Sequence, residues 1–418
     1  HYTFLRLDEV PILDLGDGGP PLTYRTDCAA YAGPDRGTGE GKGPVVWVGL
    51  GEVRQQSFTT SRTLDRLDFA GQVVMVLSDR EAALMAAVPR AGLLVVAEDA
   101  GLLRKGLTLS GRDPYMEAWG SRRALSTEAP TLWISEATAN RILAPTGHTV
   151  ADLRQEAASL AAEEVARLET PVTAHLRVVG TTELKAPARD IVAHLPGEAA
   201  RGETKLDQEM IMVLAPYDGF GRDANGTLYL GANDPASAVA LMLEVARSWR
   251  ASGYQPKRTF LFVNYIGEGT EYGQAPDQPL DPARFLESRR GFKDTYTLKA
   301  IIHIRGVASP AGDRLLISTG GSMRLASLLE QAARRVGVRT HRVDEPVDLS
   351  KTFASGDTTY RWRRTGQEAP TIVLEWEGRE ALSRLPEDTP DHLSEEHLRQ
   401  AGQAISLALM ALGSLTTY

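Results

Sequence analysis

Three carboxylate residues stand directly after apolar runs of the sequence and could carry chemistry. Asp218 and Asp234 each end a short segment that follows such a run, and Glu268 stands between two glycines after another. Carboxylates bind zinc, and a carboxylate beside a metal-bound water can act as its general base. If the runs are strands of one sheet, these residues lie at strand ends, where α/β proteins place their ligand sites.

Several common catalytic signatures are missing from the sequence. It contains no His-Glu-x-x-His, no Gly-x-Ser-x-Gly and no Gly-x-Gly-x-x-Gly that opens a helix after a strand. Residues 37–43 are rich in glycine, but the Walker pattern requires glycine where Arg36 stands and serine or threonine where Gly43 stands. The ordinary zincin, serine hydrolase, dinucleotide-binding and P-loop interpretations are therefore disfavoured.

The second half of the chain alternates predicted strands with predicted helices. Near-continuous apolar runs occupy residues 211–214, 260–263, 300–304 and 371–374. Amphipathic helices are predicted at about 235–250, 322–336 and 395–412. Runs of this kind are typical of strands buried on both faces, so the pattern predicts a three-layer α/β domain with a mostly parallel sheet.

The first half of the chain has a different texture. Short apolar runs at 45–48, 73–77 and 93–96 predict buried strands of a compact sheet domain, with a short helix around 80–91. A longer helix is predicted from Thr149, which is a plausible cap, to about Glu169.

The segments around the three carboxylates, in this order and spacing, resemble the di-zinc aminopeptidase family. That family includes bacterial leucyl aminopeptidases, glutamate carboxypeptidase and the transferrin receptor. Residues 44–179, including the phrase Ala-Pro-Thr-Leu-Trp-Ile-Ser at 129–135, resemble the protease-associated domain often inserted in these proteins. The resemblance implies a three-layer α/β peptidase domain at 180–418, an inserted β-rich domain at 44–179, and an opening segment of the peptidase-like domain at 1–43.

In that family two zinc ions are held by a histidine, a bridging aspartate, a glutamate, a later aspartate and a last histidine, while another glutamate activates water. The resemblance places Asp234 at the bridging position and Glu268 at the general base. Asp218 falls on a carboxylate that assists the metal ligands. These three residues match the family pattern.

The other four ligand positions do not match. Pro216 stands at the first histidine, Gly269 at the glutamate, Arg305 at the later aspartate and Arg384 at the last histidine. Proline and glycine offer no side-chain donor, and arginine stays protonated in proteins. The sequence therefore predicts that no zinc cofactor is bound, with zinc as the alternative.

The charges suggest what replaced the metal ions. Two arginines stand at former ligand positions among three carboxylates, so we hypothesise that guanidinium groups replace the zinc ions electrostatically. The hypothesis predicts a hydrogen bond of about 2.7–3.2 Å from Arg305 or Arg384 to Asp234 or Glu268.

Simpler interpretations of the same residues stay open. Asp234 before Pro235 is also an ordinary helix start, and Glu268 could be a solvated loop carboxylate. Glu271 could replace a ligand after a slip of the loop.

The family's bridging aspartate precedes a cis peptide bond, and proline lowers the cost of the cis form from about 3 to about 1 kcal/mol. A cis bond between Asp234 and Pro235 is therefore predicted.

Composition limits the partners. Arginine and lysine number 46 against 54 acidic residues, and the resulting net charge of −8 argues against nucleic acid as a binding partner. No apolar stretch is long enough to span a membrane. The single cysteine, Cys28, cannot form an internal disulfide and is predicted to be buried and inert.

The sequence thus favours a catalytically degenerate metallopeptidase homologue that binds a protein partner or itself. The transferrin receptor, which kept this architecture without the peptidase site, supports that interpretation. The alternative is an active zinc aminopeptidase or carboxypeptidase with Glu268 as the base. The resemblance also implies an extracellular, periplasmic or cell-surface location, because the protease-associated insert is usual in exported members of the family.

Overall fold

The structure is a computed structural model of the 418-residue chain. It describes residues 2–31, 37–51, 67–85, 88–106, 129–162, 164–186, 189–198, 205–265, 295–319, 322–343 and 369–415. The strands are β1 (Tyr2–Leu7), β2 (Ile12–Asp14), β3 (Cys28–Ala30), β4 (Gly39–Leu50), β5 (Phe69–Val76), β6 (Arg90–Val96), β7 (Thr131–Ile134), β8 (Val165–Val178), β9 (Gly180–Ala186), β10 (Ile191–Leu195), β11 (Glu209–Pro216), β12 (Gly221–Arg222), β13 (Leu228–Tyr229), β14 (Thr259–Tyr265), β15 (Thr297–Ile304), β16 (Leu315–Thr319), β17 (Thr340–Val343) and β18 (Thr371–Trp376). The α-helices are α1 (Asp79–Met85), α2 (Glu136–Leu143), α3 (Val150–Ser159), α4 (Ser237–Ser252), α5 (Met323–Arg335) and α6 (Glu395–Ser414).

The first sheet has the strand order β2-β8-β4-β5-β6-β7-β3, and its strands β4 to β7 are parallel neighbours. The apolar runs at 45–48, 73–77 and 93–96 lie in β4, β5 and β6, as predicted. Because these strands are buried on both faces, the sheet has two apolar cores. Helices α2 and α3 cover one core and α1 covers the other. We call this sheet, helices α1–α3 and the described segments that connect them, including residues 15–27 and 97–106, the first unit.

Two predicted helices of the first half are shorter in the structure, and strands of the predicted opening segment join the first sheet. The helix predicted at about 80–91 is α1, which ends at Met85, and Arg90 already belongs to β6. Strands β2 and β3, from the predicted opening segment 1–43, pair in the first sheet with β8 and β7. The helix predicted for 149–169 begins after Thr149, whose side chain caps it, but ends at Ser159. Residues 165–178 instead form β8, whose buried side chains alternate with more exposed ones from Thr170 onward and which pairs with β4 over most of its length.

The second sheet has the strand order β10-β14-β11-β15-β18-β16-β17. Its four central strands are parallel, whereas β10 and β16 run antiparallel to their neighbours β14 and β18. The four apolar runs of the second half form these central strands, and α4, α5 and α6 lie near their predicted positions. All three helices share one apolar core with the sheet. We call this sheet, helices α4–α6 and the described segments that connect them, including residues 217–236 and 377–394, the second unit.

The parallel arrangement fixes where the site lies. The carboxyl ends of β11, β14, β15 and β18 meet at one edge, at Pro216, Tyr265, Ile304 and Trp376. The predicted site positions that the structure describes follow these ends, so one sheet edge collects residues that are far apart in sequence.

Two further sequence predictions concern the single cysteine and membrane-spanning segments. Cys28 is a buried free thiol, and burial raises its pKa to about 12, so it is unreactive near neutral pH. Among the helices that the structure describes, none is both long and apolar enough to cross a bilayer.

Candidate functional site

Asp234 lies in a tight turn between the β12–β13 hairpin and α4. Gly231 has a left-handed backbone with φ 66°, and residues Ala232–Ala236 form a short π-helical turn in which Asp234 itself is extended (φ −126°, ψ 97°). The Asp234–Pro235 bond is cis, as predicted. This turn buries the carboxylate, which is 3% exposed, so it does not simply cap the helix in solvent.

Asp388, from the closing segment of the site, fixes the backbone of this turn. It is fully buried and accepts hydrogen bonds from the amides of Asn233 (2.6 Å) and Asp234 (3.1 Å). Burial raises the pKa of Asp388, the two amides lower it, and the nearby charge of Asp234 raises it, so that the result is a raised pKa. The carboxylate of Asp388 therefore supports the turn rather than facing solvent.

A second set of hydrogen bonds ties the turn to the chain that follows β15. The Asn233 side-chain oxygen accepts from the amide of Ala308 at 2.9 Å. The Ser237 hydroxyl donates to the Asn233 carbonyl at 2.5 Å and accepts from the amide of Val307 at 2.9 Å. These bonds hold Asp234 at a fixed position relative to the end of β15.

The Asp234 carboxylate is engaged by two side chains from the loop after β18. Arg379 Nη1 and Ser383 Oγ both donate to its Oδ2, the second at 2.7 Å. Arg379 also pairs through Nε with Glu375 at 2.8 Å and through Nη2 with Glu380. Arg379 thus cross-links the turn to the end of β18.

Gly306 gives Arg379 the room to reach Asp234. Gly306 has φ 41°, and a Cβ at this position would overlap Cγ and Cδ of Arg379. Any larger residue would therefore displace the guanidinium group from Asp234.

Arg305 and Arg384 are buried beside the same carboxylate, at 6% and 8% exposure. Burial alone would raise the pKa of Asp234, but Arg379, Arg305, Ser383 and Arg384 together hold it well below its ordinary range. Among the described residues, Arg379 rather than Arg305 or Arg384 donates to Asp234. Guanidinium charge therefore surrounds the predicted carboxylate, and the third arginine, Arg379, donates to it. The predicted bond from Arg305 or Arg384 to Glu268 stays a prediction, because Glu268 lies outside the described residues.

The other predicted positions divide into two groups. Pro216 ends β11 and Asp218 follows it in a half-buried loop, so both lie at the same sheet edge as Asp234. Glu268, Gly269 and the alternative ligand Glu271 lie outside the residues that the structure describes.

His303, which the sequence places inside a strand, is fully buried in β15. Its Nε2 lies 2.9 Å from the hydroxyl of Tyr265 on β14. Burial and the charge of Arg305 lower the pKa of His303 well below its ordinary value, so the ring is neutral at physiological pH. His303 therefore links β15 to β14 through Tyr265 inside the sheet, and it is not accessible to a ligand.

The described side chains do not fit a pair of zinc ions. No three His, Cys, Asp or Glu side chains in the described part of the chain are arranged to hold a metal ion. Pro216 has no donor, Arg305 and Arg384 carry positive charge, and one oxygen of Asp234 is already bonded to Arg379.

Sequence reasoning missed Arg379, Ser383 and the role of Asp388. Asp388 stands four residues after Arg384, but residue types alone do not show its bonds to backbone amides. Arg379 lies three residues after β18, at the sheet edge where the strand ends meet. A search for arginines just after each predicted parallel strand would have found it.

The low pKa of Asp234 predicts an acid-dependent loss of stability. A carboxyl whose pKa is lowered by folding stabilises the protein above its unfolded value of about 3.9, and that stabilisation is lost as pH falls through the folded pKa. The difference in unfolding free energy between the native protein and Asp234→Asn should be constant above about pH 5 and shrink below about pH 4. Urea unfolding of both proteins, measured from above pH 5 to below pH 4, gives this difference. A difference that grows as the pH falls would contradict the assignment.

Comparisons with known proteins give the sequence family and similar folds. The chain matches the model of peptidase family M28 over residues 190–409, and no curated protein sequence matches it. Its fold is similar to an aminopeptidase from Aneurinibacillus sp. strain AM-1, with 16% identity over 98% of this chain and 82% of that chain and a TM-score of 0.59. It is also similar to a peptidase M28 precursor from Shewanella amazonensis SB2B (14%, 99% and 83%, TM-score 0.58) and to a zinc aminopeptidase from Bacillus subtilis (16%, 99% and 84%, TM-score 0.52). At these identities the structures establish similarity of fold alone.

Proposed function

This chain belongs to peptidase family M28, and from that premise we propose that it is a member without the paired zinc site, acting by binding or assembly rather than by hydrolysis. One observation carries the proposal. The Asp234 carboxylate, at the position of the bridging ligand, is bonded to Arg379 and Ser383 and surrounded by Arg305 and Arg384. A zinc ion there would have to displace a buried guanidinium and face two more, which is electrostatically unfavourable.

The competing function is zinc-dependent peptide hydrolysis, which family membership favours. It requires Glu268 as general base and metal ligands beyond Asp234. Pro216, Arg305 and Arg384 supply none, which is why we favour the binding role.

Metal analysis and hydrolysis together separate the two functions. The purified protein should be dialysed with zinc, freed of excess metal and analysed for bound zinc. It should then be assayed on aminoacyl p-nitroanilides and dipeptides, with the Bacillus subtilis zinc aminopeptidase as positive control. We expect substoichiometric zinc, no zinc-induced shift of the melting temperature and no turnover. Stoichiometric zinc with turnover that disappears in Glu268→Gln would overturn the proposal.

The binding role includes a protein partner or a second copy of this chain. Light scattering over a range of concentrations tests self-association, since one chain has a mass of 45.3 kDa. A mass above this value that falls on dilution supports self-association, whereas a constant single-chain mass leaves a different protein as the partner. The extracellular, periplasmic or cell-surface location stays part of the same proposal, and it rests on the resemblance alone.

A further inference from the structure

A short segment of the first unit lies against the second unit beside the Asp234 site. It consists of residues 100–106 and includes the 3₁₀ turn Ala100–Leu103; we call it the strap. Two of its backbone carbonyls are held by Arg25, whose Nη1 donates to Leu103 (3.3 Å) and to Lys105 (2.8 Å). Arg25 therefore fixes the path of the strap from the side of the first unit.

The second unit holds the strap from the other side. The hydroxyl of Tyr229 donates to the carbonyl of Arg104 at 3.2 Å, and the Arg104 side chain pairs with Glu387. The amide of Gly106 donates to the carbonyl of Arg384 at 2.7 Å. Three successive carbonyls and the next amide of the strap are thus all bonded, and the last of these bonds ends on the Asp234 site.

The strap also fits closely against the second unit. A Cβ on Gly106 would lie 2.6 Å from the Tyr229 ring and 3.0 Å from Cβ of Phe220. The Arg384 guanidinium in turn lies 5.6 Å from the centre of the Phe220 ring. The strap, Phe220 and Arg384 are therefore in one continuous series of contacts.

A largely buried ion pair between the units anchors this arrangement. Arg25 Nε donates to Asp223 at 2.7 Å, and the two side chains are only 15% and 6% exposed. The guanidinium of Arg25 also lies over the rings of Tyr24 and Tyr229, at 5.2 and 5.6 Å. A buried pair of this kind resists separation, because either charge left alone would be desolvated and unpaired.

The backbone is unusual at both ends of this series. Arg25 and Arg384 have φ values of 71° and 66°, in the left-handed region that residues other than glycine rarely adopt. Such conformations persist when surrounding contacts hold them, and they cluster at functional sites. The bond from Gly106 is a contact that holds Arg384.

We propose that the strap couples the two units, so that the anchor formed by Arg25 and Asp223 controls the position of Arg384 at the Asp234 site. Arg25 is then a positioning residue that acts through residues 103–106. A partner that shifted the first unit would move Arg384 relative to Asp234. This inference does not depend on whether the site binds zinc, because the contacts that carry it lie between the units.

Hydrogen exchange measured by mass spectrometry on the full chain tests the coupling. The variant Arg25→Gln should raise exchange about tenfold in peptides covering the strap and residues 379–390, and leave α6 unchanged. The control Leu153→Ala removes a fully buried side chain of α3 that takes no part in the bonds of the strap, and it should raise exchange in the first unit alone.

A milder variant keeps the test decisive if Arg25→Gln does not fold. Tyr229→Phe removes only the bond to Arg104 and should raise exchange of the strap and of residues 379–390 about fivefold. Local increases at both places support the coupling. Increases confined to the first unit, or spread evenly over the whole chain, overturn it, since either pattern describes ordinary destabilisation.

Discussion

Replacing Arg379 with alanine is expected to lower the free energy of unfolding by roughly 3–5 kcal/mol. Arg379 is 11% exposed and Asp234 3% exposed, so the substitution leaves a buried carboxylate without its main counter-charge. Urea or thermal unfolding followed by circular dichroism measures the loss. Adding Asp234→Ala to Arg379→Ala should restore at least half of it, because the unpaired charge is then removed as well.

The control for this prediction is Arg399→Ala. Arg399 also forms an ion pair, with Glu396 on the surface of α6, where the two side chains are more than half exposed. Exposed pairs contribute about 0–1 kcal/mol, so the control should be nearly neutral. If Arg379→Ala proved as mild as Arg399→Ala, the guanidinium would not be a structural replacement for a metal ion.

Replacing Asp388 with alanine is the second substitution with a large expected effect, a loss of roughly 2–5 kcal/mol. Its carboxylate satisfies two buried backbone amides, those of Asn233 and Asp234, and alanine would leave both without an acceptor. Asp388→Asn should cost about half as much, because an amide oxygen can still accept one of the two bonds. Chemical denaturation of the three proteins gives the comparison.

Asp391→Ala provides the matched control, since Asp391 is exposed and only three residues away. It should change stability by less than about 0.5 kcal/mol. Equal losses in Asp388→Ala and Asp391→Ala would show that the turn around Asp234 does not depend on the Asp388 carboxylate.

The fold could be predicted where local pattern decides the structure. Buried parallel strands such as β5, β6, β11 and β15 are continuous apolar runs, and they were located from sequence. Only the first residues of β8, 165–169, fall within the helix that the sequence predicts, because they also fit helical spacing. The identity of β8 is decided by pairing with β4 and β2, which are more than a hundred residues earlier in the chain.

The site could be predicted in position and charge but not in its bonds. Asp234, its cis bond to Pro235 and the nearby charges of Arg305 and Arg384 follow from the motif. The actual donor, Arg379, falls at none of the family's ligand positions, so a comparison limited to those positions passes over it. Gly306 leaves the space that the Arg379 side chain occupies, and residue types alone do not show that this space exists.

The pairing of the earliest strands also affects how the protein is made. Ile12 pairs with Arg177, and β1 pairs with β9, so these strands have no partner until most of the first unit has left the ribosome. At about 5–20 residues per second, a nascent chain waits roughly ten to thirty seconds for β8. During that time the edge of β4 is unprotected, and edges of this kind attract other chains. The first sheet can therefore be completed only once β8 has been synthesised and has covered this edge.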